Sequence, residues 1–141
     1  REMVDDVCRR LRLGKRMAQT VHFGLAYSKE IGGGFARQVK LPQPSQNESH
    51  IYRACLMIMD KFYDNSPIRV VRIAVTNFVD KKGYQVSLFE DVNQVMLEHA
   101  VFSAMDEIKE KYGKNIVNRA SSELDSSTIK ARNKMIGGHH A

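Results

Sequence analysis

Carboxylate side chains are the first candidates for chemistry, and two adjacent pairs occur in segments with helical periodicity. Asp5 and Asp6 form one pair, and Asp106 and Glu107 form the other. Neighbouring residues of a helix point in different directions, so neither pair is expected to hold one metal ion. The sequence also contains no Ser/His/Asp or Cys/His arrangement, no dinucleotide-binding loop and no Walker loop. A free-standing enzyme is therefore the least supported interpretation.

Histidines and cysteines indicate no metal site either. His139 and His140 are adjacent on a glycine-rich end, and His22 stands alone on a predicted strand, where it either touches a phosphate or is a plain surface residue. Cys8 and Cys55 are far apart, and each lies in an apolar helical stripe. Such cysteines behave as small hydrophobic residues, so we expect Cys8 and Cys55 to be reduced core residues of a cytoplasmic protein. We expect no cofactor in this chain.

One short segment has the composition of a docking peptide. It consists of Gln85, Val86, Ser87, Leu88 and Phe89, within a polar stretch. Leu88 and Phe89 could enter an apolar pocket of a partner while the Gln85 amide forms a hydrogen bond at the rim. A short strand of the same composition would look identical, so the segment alone leaves both interpretations open.

Charge is unevenly distributed along the 141 residues, whose formal net charge is +6. Residues 1–41 carry nine Lys or Arg against four Asp or Glu, whereas residues 81–141 carry nine against eight. A basic N-terminal part suggests a face that contacts a polyanion, although a merely basic protein fits the charge equally well. No apolar run approaches the roughly 20 residues of a membrane-spanning helix.

The elements that would position these residues begin with a helix and a hairpin. Apolar residues recur at helical spacing up to Gly14, with Arg9, Arg10 and Arg12 on the outer face. The period then becomes two over residues 20–28, and a second alternating run covers residues 35–41. The residues expected on the buried face of the first strand are Val21, Phe23, Leu25 and Tyr27. The three glycines at 32–34 predict the hairpin loop between the runs.

A second helix and a third strand follow. Pro42 and Pro44 are expected to stop the hairpin strand, and the run from Ser45 to Glu48 has the form of a capping box that begins a helix. The core stripe of this helix would be Ile51, Ala54, Cys55, Ile58 and Phe62. Residues 68–78 are rich in β-branched side chains and predict a strand with Val71, Ile73 and Val75 on one side.

The C-terminal part is predicted to be helical. A long helix over residues 92–112 would end at Gly113 and pack through one apolar stripe, and a short helix is expected within residues 124–132. The stripe consists of Leu97, Val101, Met105, Ile108 and Tyr112. We therefore divide the chain into a domain of residues 1–80, a linker of residues 81–90 and a helical extension of residues 91–141.

The order of elements in residues 1–80 predicts an α+β fold, an antiparallel sheet with helices packed on one face. The other face would be left open, polar and small-residued, with Arg37, Lys40 and Arg72 supplying positive charge. Such a face lets a phosphate backbone approach the strands and positions a duplex without reading its sequence. An ordinary solvated sheet face and a protein-binding or dimerising face remain alternatives, as does a generic nucleic-acid-binding module.

Several segments together resemble the C-terminal, little-finger region of Y-family translesion DNA polymerases of the UmuC/ImpB/MucB/SamB-like branch. The run from Gln85 to Phe89 is similar to the peptide with which bacterial polymerases bind the sliding clamp. Residues 67–78 resemble the last strand of the little finger, and residues 20–38 resemble its central hairpin. Residues 131–139 are similar to the tail of this branch in Gram-positive bacteria.

The resemblance implies specific contacts and partners. Arg72 and Thr76 would contact DNA phosphate from the last strand, and Arg37 and Lys40 from the hairpin, while residues 85–89 would bind the sliding clamp. The intact polymerase would be a nucleotidyltransferase that uses Mg²⁺ and a deoxynucleotide in DNA damage tolerance and the SOS response. Its catalytic carboxylates would lie in the palm, to which no position of this chain corresponds.

The same resemblance implies a four-stranded sheet, of which this sequence supplies three strands. The first strand would precede the helix that begins at Arg1. Without it the sheet has unpaired edges, which predicts a homodimer or strand exchange between copies. A clean monomer on gel filtration at high protein concentration would contradict this expectation.

Overall fold

The structure, a computed structural model, describes residues 1–80 and 92–134, which belong to two units. In the first unit the elements are α1 (Glu2–Leu13), β1 (Arg16–Tyr27), β2 (Gly34–Ser45), α2 (Glu48–Phe62) and β3 (Ile68–Asp80). The three strands form an antiparallel sheet in the order β2-β1-β3, so the hairpin strand β1 is central. The predicted α+β fold is confirmed.

The loop between β1 and β2 depends on its glycines. Gly32 and Gly33 have positive φ angles of 70° and 74°. This region of backbone conformation is energetically unfavourable for residues with a Cβ atom. Gly34 has a φ of 138°, and a Cβ atom there would lie 2.1 Å from the Leu25 carbonyl oxygen. The glycines therefore form a hairpin loop, as the sequence indicates.

The prediction that Pro42 and Pro44 stop the strand is wrong. β2 continues to Ser45, with a shift of register between the Thr20–Lys40 pair and the Ala18–Ser45 pair. β2 is an edge strand, and proline is tolerated in such a strand because only one of its sides forms hydrogen bonds with a neighbouring strand. The irregularity accommodates both prolines without ending the strand.

Both helices cover the same face of the sheet. The buried side chains of this core come from α1, β1, the end of β2 and α2: Val4, Cys8, Leu11, Ala18, Val21, Phe23, Leu25, Tyr27, Leu41, Ile51, Ala54, Cys55 and Ile58. Phe62 differs from the prediction, since it is 38% exposed. Its ring nevertheless lies 6.0 Å from the Phe35 ring at the margin of the core.

The residues around the start of α2 form a different cap from the one predicted. Asn47, not Ser45, is the N-cap, and its side chain accepts a hydrogen bond of 2.8 Å from the Ser49 backbone N–H. Ser45 Oγ instead accepts from the Asn47 backbone N–H at 3.0 Å. Glu48 is thereby left to face Arg12 of α1 rather than to close a capping box.

Arg12 is not on an outer face, contrary to the prediction. Its Nη1 atom lies 3.8 Å from Glu48 Oε1, and the two side chains are 8% and 6% exposed. Arg10, in contrast, is exposed and pairs with Asp6 at 3.0 Å along α1. The ion pair of Arg12 and Glu48 therefore connects the two helices beside the core.

β3 forms an edge of the sheet and is only partly covered. Val71, Ile73 and Val75 lie opposite Leu25, Phe23 and Val21 of β1, which confirms that they share the face covered by the helices. Val71 is nevertheless 39% exposed. The helices thus bury β1 more completely than β3.

The second unit contains α3 (Val92–Tyr112), a 3-10 turn (Ala120–Glu123) and α4 (Ile129–Arg132). The predicted long helix is confirmed, as is its end at Gly113, whose φ is 99°. The predicted packing stripe is wrong, because Leu97, Val101, Ile108 and Tyr112 are between 38% and 66% exposed. Among the described side chains of α3, those of Asp106 and Lys109 are buried, and that of Met105 is half-buried. No helix in the described ranges is both long and apolar enough to cross a membrane.

Candidate nucleic-acid interface

The face of the sheet opposite the helices, here called the open face, is ordered in rows by the strand register. Lys40, Thr20 and Thr76 form one row, and Gln38, His22 and Ala74 form the next. The following row is Ala36, Gly24 and Arg72, and the last contains Gly34, Ala26 and Val70. Directly opposed residues project to the same side of a sheet. Lys40 and Arg72 therefore lie on the same face, on opposite edge strands.

Small residues lie at the centre of the open face, so few side-chain atoms project from the strands there. Gly24, on the central strand, is buried, and a Cβ atom there would lie 3.0 Å from the Phe35 carbonyl oxygen and 3.3 Å from Ala36 Cβ. Neighbouring positions on the same face are also small, namely Ala26, Ala36 and Ala74. With so little side-chain volume, a polymer lying on this face can come close to the strands.

The charged side chains in these four rows of the open face are all cations. Lys40 and Arg72 are exposed, and within the register from Gly34 to Lys40 and from Val70 to Thr76 no carboxylate shares their face. In the described part of the chain neither cation belongs to an ion pair. The face therefore has positive charge that an external anion can neutralise.

Two hydrogen bonds across β1 and β3 link polar side chains near Lys40. His22 Nε2 lies 2.8 Å from Thr76 Oγ1, and Asn77 Nδ2 donates to Thr20 Oγ1 at 2.8 Å. Asn77 has a φ of 55°, a left-handed conformation that asparagine tolerates better than most residues. The sequence gives no reason to pair His22 with Thr76, since the pairing depends on the strand register.

Arg37 does not lie on the face expected from the sequence. It lies opposite Phe23, a core residue, and is therefore on the face covered by the helices rather than on the open face. Its guanidinium lies 4.9 Å from the centre of the Phe62 ring, a cation–π contact. The alternation of β2 separates Arg37 from Lys40, because residues three apart on a strand project to opposite sides.

The described residues offer no metal site. No group of three or more His, Cys, Asp or Glu side chains in these ranges could hold an ion. Cys8 and Cys55 are free and buried, as predicted. Burial raises the pKa of the Cys8 thiol well above its usual range and that of Cys55 to about 11. Both are core residues rather than reactive thiols.

The predicted docking segment, Gln85 to Phe89, lies outside the described residues, as do His139 and His140.

Residues 1–80 are thus an α+β module with one helix-covered face and one open cationic face. A family model described as the impB/mucB/samB family C-terminal domain matches residues 1–88. The chain belongs to this family, which confirms the UmuC-like branch that the sequence motifs resemble.

Curated relatives agree with this assignment. The chain is 36% identical over 139 residues to the putative UV-damage repair protein UvrX of Bacillus subtilis, covering 98% of this chain and 33% of that protein. It is 32% identical over 140 residues to DNA polymerase IV 2 of Halalkalibacterium halodurans, covering 99% and 34%. A DNA polymerase IV of Pelotomaculum thermopropionicum is 27% identical over 132 residues, covering 93% and 32%. The chain spans about a third of the length of these relatives.

Proposed function

We propose that residues 1–80 hold the phosphate backbone of a DNA duplex on the open face, as the DNA-gripping region of a translesion polymerase that acts in DNA damage tolerance. The observation that carries the proposal is the placement of Lys40 and Arg72, without a neighbouring carboxylate, around a centre of small residues. The names of the relatives, DNA polymerase IV and UV-damage repair protein, support DNA as the polyanion.

The chemistry of the open face favours contact with phosphate over contact with bases. Lysine and arginine attract phosphate oxygens at any sequence, and Thr76 adds a hydroxyl donor in the row of Lys40. The small side chains at the centre of this face, those of Ala26, Ala36 and Ala74, carry no donor or acceptor that could read base edges. We therefore expect binding that depends strongly on salt and little on sequence.

The register supplies a matched test of this proposal. Lys40→Ala and Arg72→Ala each remove one cation from the open face, whereas Arg37→Ala removes one from the opposite face of the same sheet. Measured by fluorescence anisotropy with a labelled duplex, each of the first two substitutions should weaken binding about threefold to tenfold and lower the salt slope by about 0.9. Arg37→Ala should change neither quantity. Equal effects of all three would indicate that net charge, not the open face, determines binding.

Docking on the bacterial sliding clamp is the second part of the proposal. The segment from Gln85 to Phe89 has the composition of a clamp-binding peptide, and membership of a polymerase-related family supports a clamp as its partner. Surface plasmon resonance with an immobilised clamp should detect micromolar binding that Leu88→Ala/Phe89→Ala abolishes. No binding by the unmutated, folded chain would leave the segment without this role.

The intact protein is proposed to be a nucleotidyltransferase that requires Mg²⁺ and deoxynucleotides, with its catalytic carboxylates outside this chain. The chain alone is then a non-catalytic part. A generic nucleic-acid-binding module unrelated to polymerases would share the salt dependence but not the clamp binding, so the two measurements together separate these functions.

A further inference from the structure

His22 occupies the centre of the open face. It lies in the middle of β1, the central strand, between Gln38 of β2 and Ala74 of β3. The side chain is half-buried, and its Nε2 atom is 2.8 Å from Thr76 Oγ1. A histidine at this position is within reach of any polyanion that contacts both Lys40 and Arg72, since these residues lie one row to either side.

Protonation of His22 fixes the direction of its hydrogen bond with Thr76. In a neutral imidazole, one ring nitrogen donates and the other accepts, so the Thr76 hydroxyl can be either partner of Nε2. In an imidazolium both nitrogens donate. Nε2 then always donates to Thr76 Oγ1, so the hydroxyl hydrogen of Thr76 is always available to another acceptor.

In the described register rows around it, His22 has no carboxylate on its own face. In the rows from Thr20 to Ala26 the charged groups on its face are Lys40 on β2 and Arg72 on β3, both cations. Beyond these rows, Arg16 of β1 lies opposite Asp80 of β3. The nearest side chains are those of Gln38, Ala74 and Thr76. Because these rows hold no carboxylate, an external anion such as a phosphate oxygen can compensate an imidazolium here.

We propose that His22 and Thr76 form a phosphate-binding pair at the centre of the open face, which grips DNA more tightly when His22 is protonated. Protonation supplies one positive charge, and it keeps the Thr76 hydroxyl available as a donor beside that charge. This inference rests on the proposed function, the binding of DNA by the open face. By linkage, a ligand that favours the protonated form binds more tightly as the pH falls, because imidazoles change charge between about pH 5 and 8.

The test is the pH profile of DNA binding by the full chain at constant ionic strength, measured by anisotropy with a 20-base-pair duplex of arbitrary sequence. We expect the affinity to rise roughly fivefold to tenfold from pH 8 to pH 5.5, and the salt slope to become steeper by about 0.9, one additional phosphate contact. Asp and Glu residues ordinarily titrate near pH 4 and contribute little to this range.

Four variants identify the group responsible. His22→Gln should bind no more tightly at pH 5.5 than at pH 8, and Thr76→Val should lose more affinity at pH 5.5 than at pH 8. His50→Gln is the matched control, since His50 lies beside Ser45 at the start of α2 and not on the open face. It should keep the profile of the unmutated chain, as should the double variant His139→Gln/His140→Gln.

The outcomes separate the inference from the proposed function. If the chain binds DNA through Lys40 and Arg72 but His22→Gln keeps the full pH profile, the inference is overturned and the proposed function stands. Equal losses at both pH values for Thr76→Val would also overturn the pairing of the two residues. If the folded chain binds no DNA at either pH, both fail together.

Discussion

At the scale of single residues, the alternation of side chains along a strand determines which of two arginines lies on the open face. Arg37 and Arg72 are both exposed and both basic, yet they lie on opposite faces of the same sheet. Lys40 is only three residues from Arg37 and shares the face of Arg72 instead. The residue type therefore indicated the charge, whereas the position of the residue in the strand register determined the face of the sheet on which that charge lies.

Gly34 combines a positive φ angle with a close approach to the Leu25 backbone. Gly34→Ala should destabilise the fold by about 2–4 kcal/mol, because its Cβ atom would collide with the Leu25 carbonyl and its φ is 138°. Gly32→Ala is the control, since its φ is 70° but no atom lies within 4 Å, and it should cost about 1 kcal/mol. Urea unfolding measures both, and equal costs would show that the collision is relieved by a backbone shift.

The two cysteines should be nearly inert towards thiol reagents in the folded chain. Burial raises the pKa of Cys8 and Cys55, so at pH 8 the thiolate is scarcer in the folded than in the unfolded chain. A disulfide-exchange reagent should react about a hundredfold more slowly with the native protein than in denaturant. The raised pKa also means that the free energy of unfolding falls as the pH rises above about 8.5, because the unfolded thiols then lose protons first. Fast labelling of the native chain at pH 8 would contradict this.

At the scale of elements, a buried ion pair and an exposed one have the same composition but different surroundings. Arg12 and Glu48 join α1 to α2 with less than a tenth of either side chain exposed, whereas Arg10 and Asp6 are both exposed on α1. Removing one member of a buried pair takes away the opposite charge nearest to the other member in a poorly solvated site. The contribution to stability therefore follows from burial and not from the pairing itself.

Glu48→Gln should lower the free energy of unfolding by about 2 kcal/mol, since the Arg12 guanidinium loses its nearby carboxylate. Asp6→Asn breaks the exposed pair and should change it by less than about 0.5 kcal/mol. Chemical denaturation at neutral pH compares the two. Comparable losses would mean that water or other groups compensate Arg12 in the variant.

At the scale of the whole molecule, β3 leaves one edge of the sheet without a neighbouring strand among residues 1–80. The strand also exposes apolar side chains, with Val71 39%, Phe78 49% and Val79 39% exposed. An open, apolar edge is a template for pairing with another strand. Self-association of the isolated chain is the simplest consequence.

Analytical ultracentrifugation of the isolated chain should show a dimer that forms with increasing protein concentration. Val71→Lys places a charge on the covered side of the edge strand and should shift the equilibrium to monomer. Val101→Lys, on the exposed side of α3, is the control and should leave the dimer intact. A monomer at all concentrations for the unmutated chain would contradict pairing through β3.

The sequence by itself determined the order and type of the elements. Helical spacing in α1 and α2, period-two alternation in β1 and the glycine loop are local signals, and local propensity and burial agree in each. The family was also evident from short motifs. The same local signals were misleading where neighbours in space mattered more, as in the cap of α2, the prolines of β2 and the apolar side of α3.

Only the tertiary structure decided the site. The face on which Arg37 lies, the meeting of His22 with Thr76 and the burial of Arg12 beside Glu48 all depend on which residues become neighbours across strands or helices. A shift of register by one residue would exchange the two faces of a strand without any change in sequence. Charge and alternation are properties of the chain, whereas a binding face is a property of strand pairing.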